Sequence, residues 1–352
     1  MDIFLATGSP PASLFLNGLF QNSLTLYSLF ESIGYRCHCL VDRSGAFLEG
    51  FRSLEPETYV QNPAAYQLAW YIEIGHAFDA EWRAFLRRKG VRVVKLHLGN
   101  IRHIDVEMTC HMPQVSFYQH VVGNYDEIWT SPHYAANCAY AFALYRTPCR
   151  TVPYVWSSQW LKEAPPYVPC PWFKTDIVVA EPNISFQKHC LYPFLLVEAF
   201  ASLYPEWKGR LILQNTERFQ INGYMRIRLL KSPLKDRLVL RGREPLITIL
   251  AANPSATFVS HQIKNEYNYM TLELLHLGFP VLHNSKPWRQ IGFFWDEERW
   301  SESLTLLRSM LGSPSKKYDL SAFSAEANRS AWNTILYQVP FSSSSSSNPR
   351  LP

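Results

Sequence analysis

The chain has 352 residues, of which 47% are hydrophobic, 14% aromatic and 18% charged. That balance excludes a disordered chain, a coiled coil and a collagen-like fibre, and it leaves room for about two domains. Thirty-four basic residues against 29 acidic ones give a net charge of +5, a mild excess that suits anionic ligands without singling out nucleic acid.

The chain opens as strand, loop and helix. Ile3–Ala6 is a short apolar run, Thr7-Gly8-Ser9-Pro10-Pro11 is turn chemistry, and the periodicity predicts a helix from Asn17 to Ile33, with Leu19, Phe20, Leu24, Leu26, Tyr27, Phe30 and Ile33 on one face. Gly34 ends it and Tyr35–Val41 returns as a strand, completing a βαβ unit that favours a parallel sheet. The alternation continues with strands at Trp70–Ile74, Val91–Leu96 and Glu127–Trp129, helices at Asp79–Lys89 and Pro132–Tyr145, and a closing strand at Arg150–Val155. Between Lys162 and Trp172 stand Pro165, Pro166, Pro169 and Pro171, too many for a helix interior or a central strand.

After that break the alternation restarts. Strands are expected at Thr175–Ala180, Arg210–Gln214, Leu238–Arg241, Ala256–Ser260 and Pro280–His283, and helices at Lys188–Leu203, Gly223–Lys231, Pro245–Ala252, Tyr269–Leu277 and Ser301–Leu311. The expected fold class is therefore α/β, with two Rossmann-like doubly wound domains facing across a cleft. The expected division is a first domain over 1–162, a proline-rich linker over 163–174 and a second domain over 175–316. A helix within 317–340 is expected to cross back to the first domain, and a Ser-rich tail over 341–352 to be disordered. Leu191–Tyr204, the longest apolar stretch, holds Pro193 and Glu198, so no membrane span is expected. Asp2 stands where a secretory signal would carry basic residues, which points to a cytoplasmic protein. The seven cysteines are scattered and form no C-x-x-C pair, and they are expected to be reduced.

Open α/β sheets bind ligands beyond the carboxyl ends of their strands, and there the polar residues gather. Val259 runs into Ser260, His261, Gln262, Asn265 and Asn268 before the helix that begins near Tyr269 and carries Glu273. The N-terminus of such a helix offers free N–H groups to an anion. Asn183, Ser185 and Lys188 occupy the corresponding turn after the first strand of the second half, and Asn215 and Arg218 follow the next strand. In the first half, Gly8, Ser9, Asn17 and Gly18 are placed at the cleft. Glu73, His76 and His97, at or beside strand ends, are the candidate bases for activating an acceptor hydroxyl. No D-x-D occurs, and the histidines lack ligand spacing, so no metal is expected. The chain has no G-x-G-x-x-G, G-x-S-x-G or phosphate-loop motif, which argues against a dinucleotide dehydrogenase, a serine hydrolase and a nucleotide triphosphatase.

The block from Val259 to Ser285, with its polar loop, helical Glu273 and Pro280-Val281 strand, resembles the donor-binding region of GT-B-fold glycosyltransferases. The whole chain is most similar to an uncharacterised GT-B-like family of bacterial and viral proteins. The shared features stand here as Asn17-Gly18-Leu19-Phe20-Gln21-Asn22, Ile72-Glu73-Ile74-Gly75, Gly99-Asn100, Tyr125–Trp129, Val152–Trp156, Glu181–Ser185, Val259–Gln262 and His283-Asn284-Ser285. The resemblance implies metal-independent transfer of a sugar from a nucleotide-sugar donor to a glycan or other hydroxyl acceptor, the nucleotide sugar being a co-substrate rather than a cofactor. It implies Lys188 on the diphosphate and Glu273 on the ribose hydroxyls. Two glutamates eight residues apart are common in such enzymes; Glu266 and Glu273 are seven apart, so only Glu273 carries over. Two alternatives stay open. The basic clusters at Arg83–Lys89 and Arg226–Arg243 admit a DNA-base acceptor on the same fold. The altered glutamate spacing admits a non-catalytic nucleotide- or sugar-binding module.

Overall fold

The computed structural model describes residues 1–8, 14, 18–42, 50–74, 76–111, 123–183, 185–220, 222–266 and 268–337. Ser9, Asn17 and the Ser-rich tail lie outside the described residues. Two wholly parallel sheets organise the chain. The first holds β1 (Asp2–Ala6), β2 (Arg36–Leu40), β3 (Ser53–Leu54), β4 (Leu68–Glu73), β5 (Arg92–His97), β6 (Glu127–Thr130) and β7 (Cys149–Thr151), in the order β3-β2-β1-β4-β5-β6-β7. The second holds β8 (Ile177–Val179), β9 (Leu211–Leu213), β10 (Leu238–Leu240), β11 (Thr257–Ser260), β12 (Val281–His283) and β13 (Phe293–Phe294), in the order β10-β9-β8-β11-β12-β13. Each order reverses beside its first strand, β1 or β8, and that reversal opens a crevice at the carboxyl ends of the strands.

The strands are short, and the central ones are apolar and buried on both faces, as a parallel sheet covered by helices requires; Ile177–Val179 and Leu211–Leu213 are buried throughout. Eleven helices are described: α1 (Gly18–Ser32), α2 (Pro56–Gln61), α3 (Ala80–Arg88), α4 (Ile101–His111), α5 (Cys138–Tyr145), α6 (Leu191–Leu203), α7 (Gly223–Leu230), α8 (Leu246–Ala252), α9 (Tyr269–Leu277), α10 (Trp300–Met310) and α11 (Ala325–Tyr337). Their ends follow local chemistry. Asp79 and Asn222 cap α3 and α7 with side-chain oxygens, and Gly278, at φ 84°, closes α9 in the left-handed conformation that glycine adopts without strain.

The strands β3 and β13 and the helices α2 and α4 have no counterpart in the sequence reading, and three of the expected helices differ from it. The helix expected from Lys188 starts at Leu191, because Ser185 and Lys188 pair in a bridge and Asn183 accepts the N–H of Cys190. The helix expected from Pro132 divides into a 3-10 segment over Pro132–Asn137, kinked at Tyr134, and α5. Leu19, assigned to the apolar face of α1, is 39% exposed, whereas Gln21, Asn22, Ser23 and Thr25 are buried.

The described cysteines, all seven of the chain, are free thiols. Among the described residues no helix is long and apolar enough to cross a membrane. The end of the chain returns to the first sheet: Trp332 of α11, wholly buried, meets Phe30 of α1 and Trp129 of β6 edge-on at 5.3 and 5.6 Å. Trp332→Ala should therefore lower unfolding stability by about 3–5 kcal/mol in urea titration. A loss below about 1 kcal/mol would show that α11 packs on the first sheet without holding it.

Candidate functional site

Six strand-to-helix connections meet in one cleft between the sheets. Among the described residues its walls come from the start of α1 (Gly18, Leu19, Gln21), the β5–α4 turn (Leu98, Gly99), the β8–α6 loop (Glu181 to Lys188), the loop after β9 (Asn215, with Arg243 and Glu244 after β10) and the β11–α9 segment (Gln262 to Glu273). The cavity measures about 480 Å³, within the range that takes a nucleotide-sized ligand.

Glu181 is the organising group of the second sheet's wall. It follows the buried strand β8 and is itself 1% exposed. Its carboxylate accepts the Ser260 hydroxyl at 2.7 Å, the His261 backbone N–H at 3.0 Å and the Gln262 side-chain amide at 2.6 Å. Burial pushes the carboxyl up to about 7, while those three donors and the Lys188 ammonium pull it down. Burial also draws Lys188 below the usual lysine range, with Glu181 opposing. Asn183 and Asn215, both at positive φ, brace this loop from behind. Asn183 donates to the carbonyls of Gln214 and Asn215, and Asn215 returns bonds to the carbonyls of Ala180 and Glu181. Small amide side chains visit the left-handed region at modest cost, and here their bonds hold them in it.

Between Ser185 and Lys188 stands Gln187, 1% exposed, on the cleft wall. Neither its amide oxygen nor its amide nitrogen has a hydrogen-bond partner among the described residues. The amide oxygen of Gln262 is likewise buried and unpartnered. Each such atom costs roughly 1–3 kcal/mol until something satisfies it.

The opposite wall joins the two sheets. Glu273, on α9, accepts the side-chain amide of Gln21 on α1 at 2.9 Å through Oε1, and burial pushes its carboxyl up to about 7. One turn earlier, the Tyr269 hydroxyl accepts from Asn22 at 2.7 Å and donates to the Val155 carbonyl at 3.0 Å. Gly18 belongs to the same contact, since a β-carbon there would lie 3.1 Å from the Tyr269 ring. Asn265 closes a second seam by accepting the Tyr134 hydroxyl at 3.1 Å, while Asn100 donates to the Lys264 carbonyl at 2.6 Å. Asn268 caps α9 by accepting the Met270 N–H.

The structure thus brings Gly18, Ser185, Lys188, Asn215, Gln262, Asn265, Asn268, Tyr269 and Glu273 to one cleft. Ser260 and His261 stand behind it. The His261 ring stacks on Tyr192 at 4.4 Å and pairs with Glu297, and only its backbone serves Glu181. The side chain of Arg218 lies outside the described residues. The candidate bases do not line this cleft. Glu73, wholly buried, is held by Arg83, Lys95, Tyr71 and Tyr125. His97 shares a 3.1 Å hydrogen bond with Tyr145. His76 packs so closely against Gly8 that a β-carbon there would come within 2.9 Å of the ring. Gly8 therefore serves local packing rather than the cleft wall. Glu181, Gln187 and Gln21 are site residues that sequence reasoning passed over. For Glu181 the signal was present, as an acid directly after a buried apolar strand.

Known structures share this architecture. A lipopolysaccharide outer core galactosyltransferase, WaaB, in its apo form matches at TM-score 0.54 and 11% identity, over 96% of this chain and 99% of that one. Sucrose-phosphate synthase from Thermosynechococcus elongatus matches at TM-score 0.58 and 12% identity, over 96% and 98%. An α-glucosyltransferase in complex with UDP matches at TM-score 0.56 and 12% identity, over 96% and 95%. These likenesses establish the GT-B glycosyltransferase fold. No curated protein sequence matches the chain. A family model described as a protein of unknown function, DUF2827, matches residues 2–339, and the chain belongs to that family.

Proposed function

We propose that the cleft binds a nucleotide sugar and transfers the sugar to a glycan or other hydroxyl acceptor without a metal ion. The observation that carries this reading is the convergence of Lys188, the capped N-terminus of α9 and the buried carboxylate of Glu273 on one cleft. The names of the structural neighbours, a galactosyltransferase and a glucosyltransferase with UDP among them, support the same ligand class.

In this reading Lys188 and the N-terminus of α9 take up the negative charge that grows on the departing diphosphate. Glu273 accepts the ribose hydroxyls through Oε2, since Gln21 occupies Oε1. Glu181 keeps Lys188 charged and in place. The acceptor oxygen forms a bond to the anomeric carbon as the bond from that carbon to the diphosphate breaks, and the acceptor proton leaves to a base. Glu73, His76 and His97 stand off the cleft, so the reading assigns that proton to none of them. The dry walls protect the sugar from water.

Nucleoside diphosphates of the common bases should be tested by thermal shift. One of them, at about 100 times its dissociation constant, should stabilise the protein by roughly 2.7 kcal/mol. Lys188→Ala and Glu273→Ala should each weaken binding at least about tenfold, the loss of one charge-assisted contact. A well-folded protein that no nucleotide stabilises would contradict the reading.

The buried carboxyls also set a pH dependence. Folding holds Glu181 and Glu273 well above the ordinary 4.5, near 7, so the fold favours their protonated forms. The unliganded protein should accordingly be most stable below about pH 4.5 with respect to these groups, and lose stability as the pH rises through about 7. Glu273→Gln should flatten part of that decline in urea titrations at about pH 5 and pH 8. An unchanged pH profile would show that Glu273 titrates at its ordinary value.

A further inference from the structure

The run from Asn222 to Arg243 builds a surface that the cleft does not use. Helix α7 buries Met225 and Leu229 and leaves Tyr224, Ile227 and Leu230 exposed at 68%, 54% and 69%. Spaced three apart, these side chains form one stripe on the helix face opposite the buried pair. Leu240, 47% exposed, lies on β10, the outermost strand of the second sheet. Exposed cations accompany the apolar groups. Arg226, Lys231, Lys235 and Arg241 all face solvent, and none enters an ion pair among the described residues. Asp236 is the one exposed acid among the described residues of the run. By contrast Arg228 is engaged by Glu198, and Arg237 donates to the Trp207 carbonyl.

We propose that this face docks the protein on an anionic lipid bilayer, with Tyr224, Ile227 and Leu230 entering the headgroup boundary and the four cations resting on the phosphates. Both halves of the surface then find a partner. Aliphatic side chains exposed on a short helix gain by leaving water at an interface, and each nearby cation adds attraction to anionic headgroups. Nucleic acid accounts for the cations but offers no seat for an aliphatic stripe. A second copy of the chain placed across a two-fold axis would set the same cations against one another. The run ends at Arg243, which lines the cleft. The proposal does not depend on what the cleft binds.

Sedimentation of the full chain with vesicles tests it. Vesicles of phosphatidylcholine and phosphatidylglycerol in equal parts should carry the protein down at low salt, and vesicles of phosphatidylcholine alone should not. The triple variant Arg226→Gln/Lys231→Gln/Arg241→Gln should partition roughly fivefold more weakly for each cation removed. Ile227→Ser/Leu230→Ser should partition at least about tenfold more weakly. All five positions are exposed, and unchanged thermal melts would confirm that the variants fold. The proposal is overturned if the wild type stays in the supernatant, or if either variant sediments like the wild type. It is also overturned if the surface instead supports duplex DNA binding that only the charge variant loses, or a stable dimer in light scattering that the apolar variant breaks.

Discussion

The fold and the candidate site both depend on one contact, the seam between α1 of the first sheet and α9 of the second. Helix α9 has to enter the cleft with a capped N-terminus and a buried carboxylate, and a carboxylate shut away from water needs a donor. Gln21 supplies it to Glu273, and Asn22 reaches Tyr269, which in turn bonds the Val155 carbonyl. Four polar side chains of two helices are thereby consumed in holding the sheets together. This explains why α1 buries Gln21 and Asn22, while Ser23 and Thr25 return bonds to carbonyls of their own helix. A polar seam of this kind also commits the geometry, because sliding one sheet over the other would leave several buried groups without partners at once.

The chemistry of the cleft follows from the same economy of polar groups. Glu181 is satisfied three times over, by Ser260, His261 and Gln262, whereas the side chain of Gln187, a few residues on, has no partner among the described residues. The first arrangement builds a rigid wall. Burial moves the carboxyls of Glu181 and Glu273 and the Lys188 ammonium each towards its neutral form. An arriving diphosphate adds negative charge beside Lys188 and favours its charged form again. The basic and aliphatic surface of α7 lies in the same half of the chain as this wall.

Much of the fold was legible because its signals are local. Apolar runs such as Ile3–Ala6 and Ile177–Val179, separated by capped helices, read as buried parallel strands without reference to the rest of the chain. Glu273 and the polar loop before it were legible for the same reason, as a strand running into a helix start. What escaped depends on contacts between distant residues. Lys188 reads as helical from its neighbours, but Asn183 takes the N–H of Cys190 and delays the helix. Glu73 and His97 sit at strand ends where a base could stand, yet Arg83 and Lys95 hold Glu73 in the interior of the first domain and Tyr145 engages the half-buried His97. The role of Gln21 became visible only once Glu273, 252 residues away, was placed against it.

The central claim is that Glu273 must be ionised to hold a nucleotide ribose although the empty cleft keeps it near neutrality. Isothermal titration of a binding nucleoside diphosphate, repeated near pH 7 in buffers of different ionisation enthalpy, measures the protons that binding displaces. The account predicts that Lys188 takes up protons as the diphosphate arrives while Glu273 gives one up, so the wild type should release up to one proton more than Glu273→Gln. Nucleotide binding with the same proton balance in both proteins would contradict it.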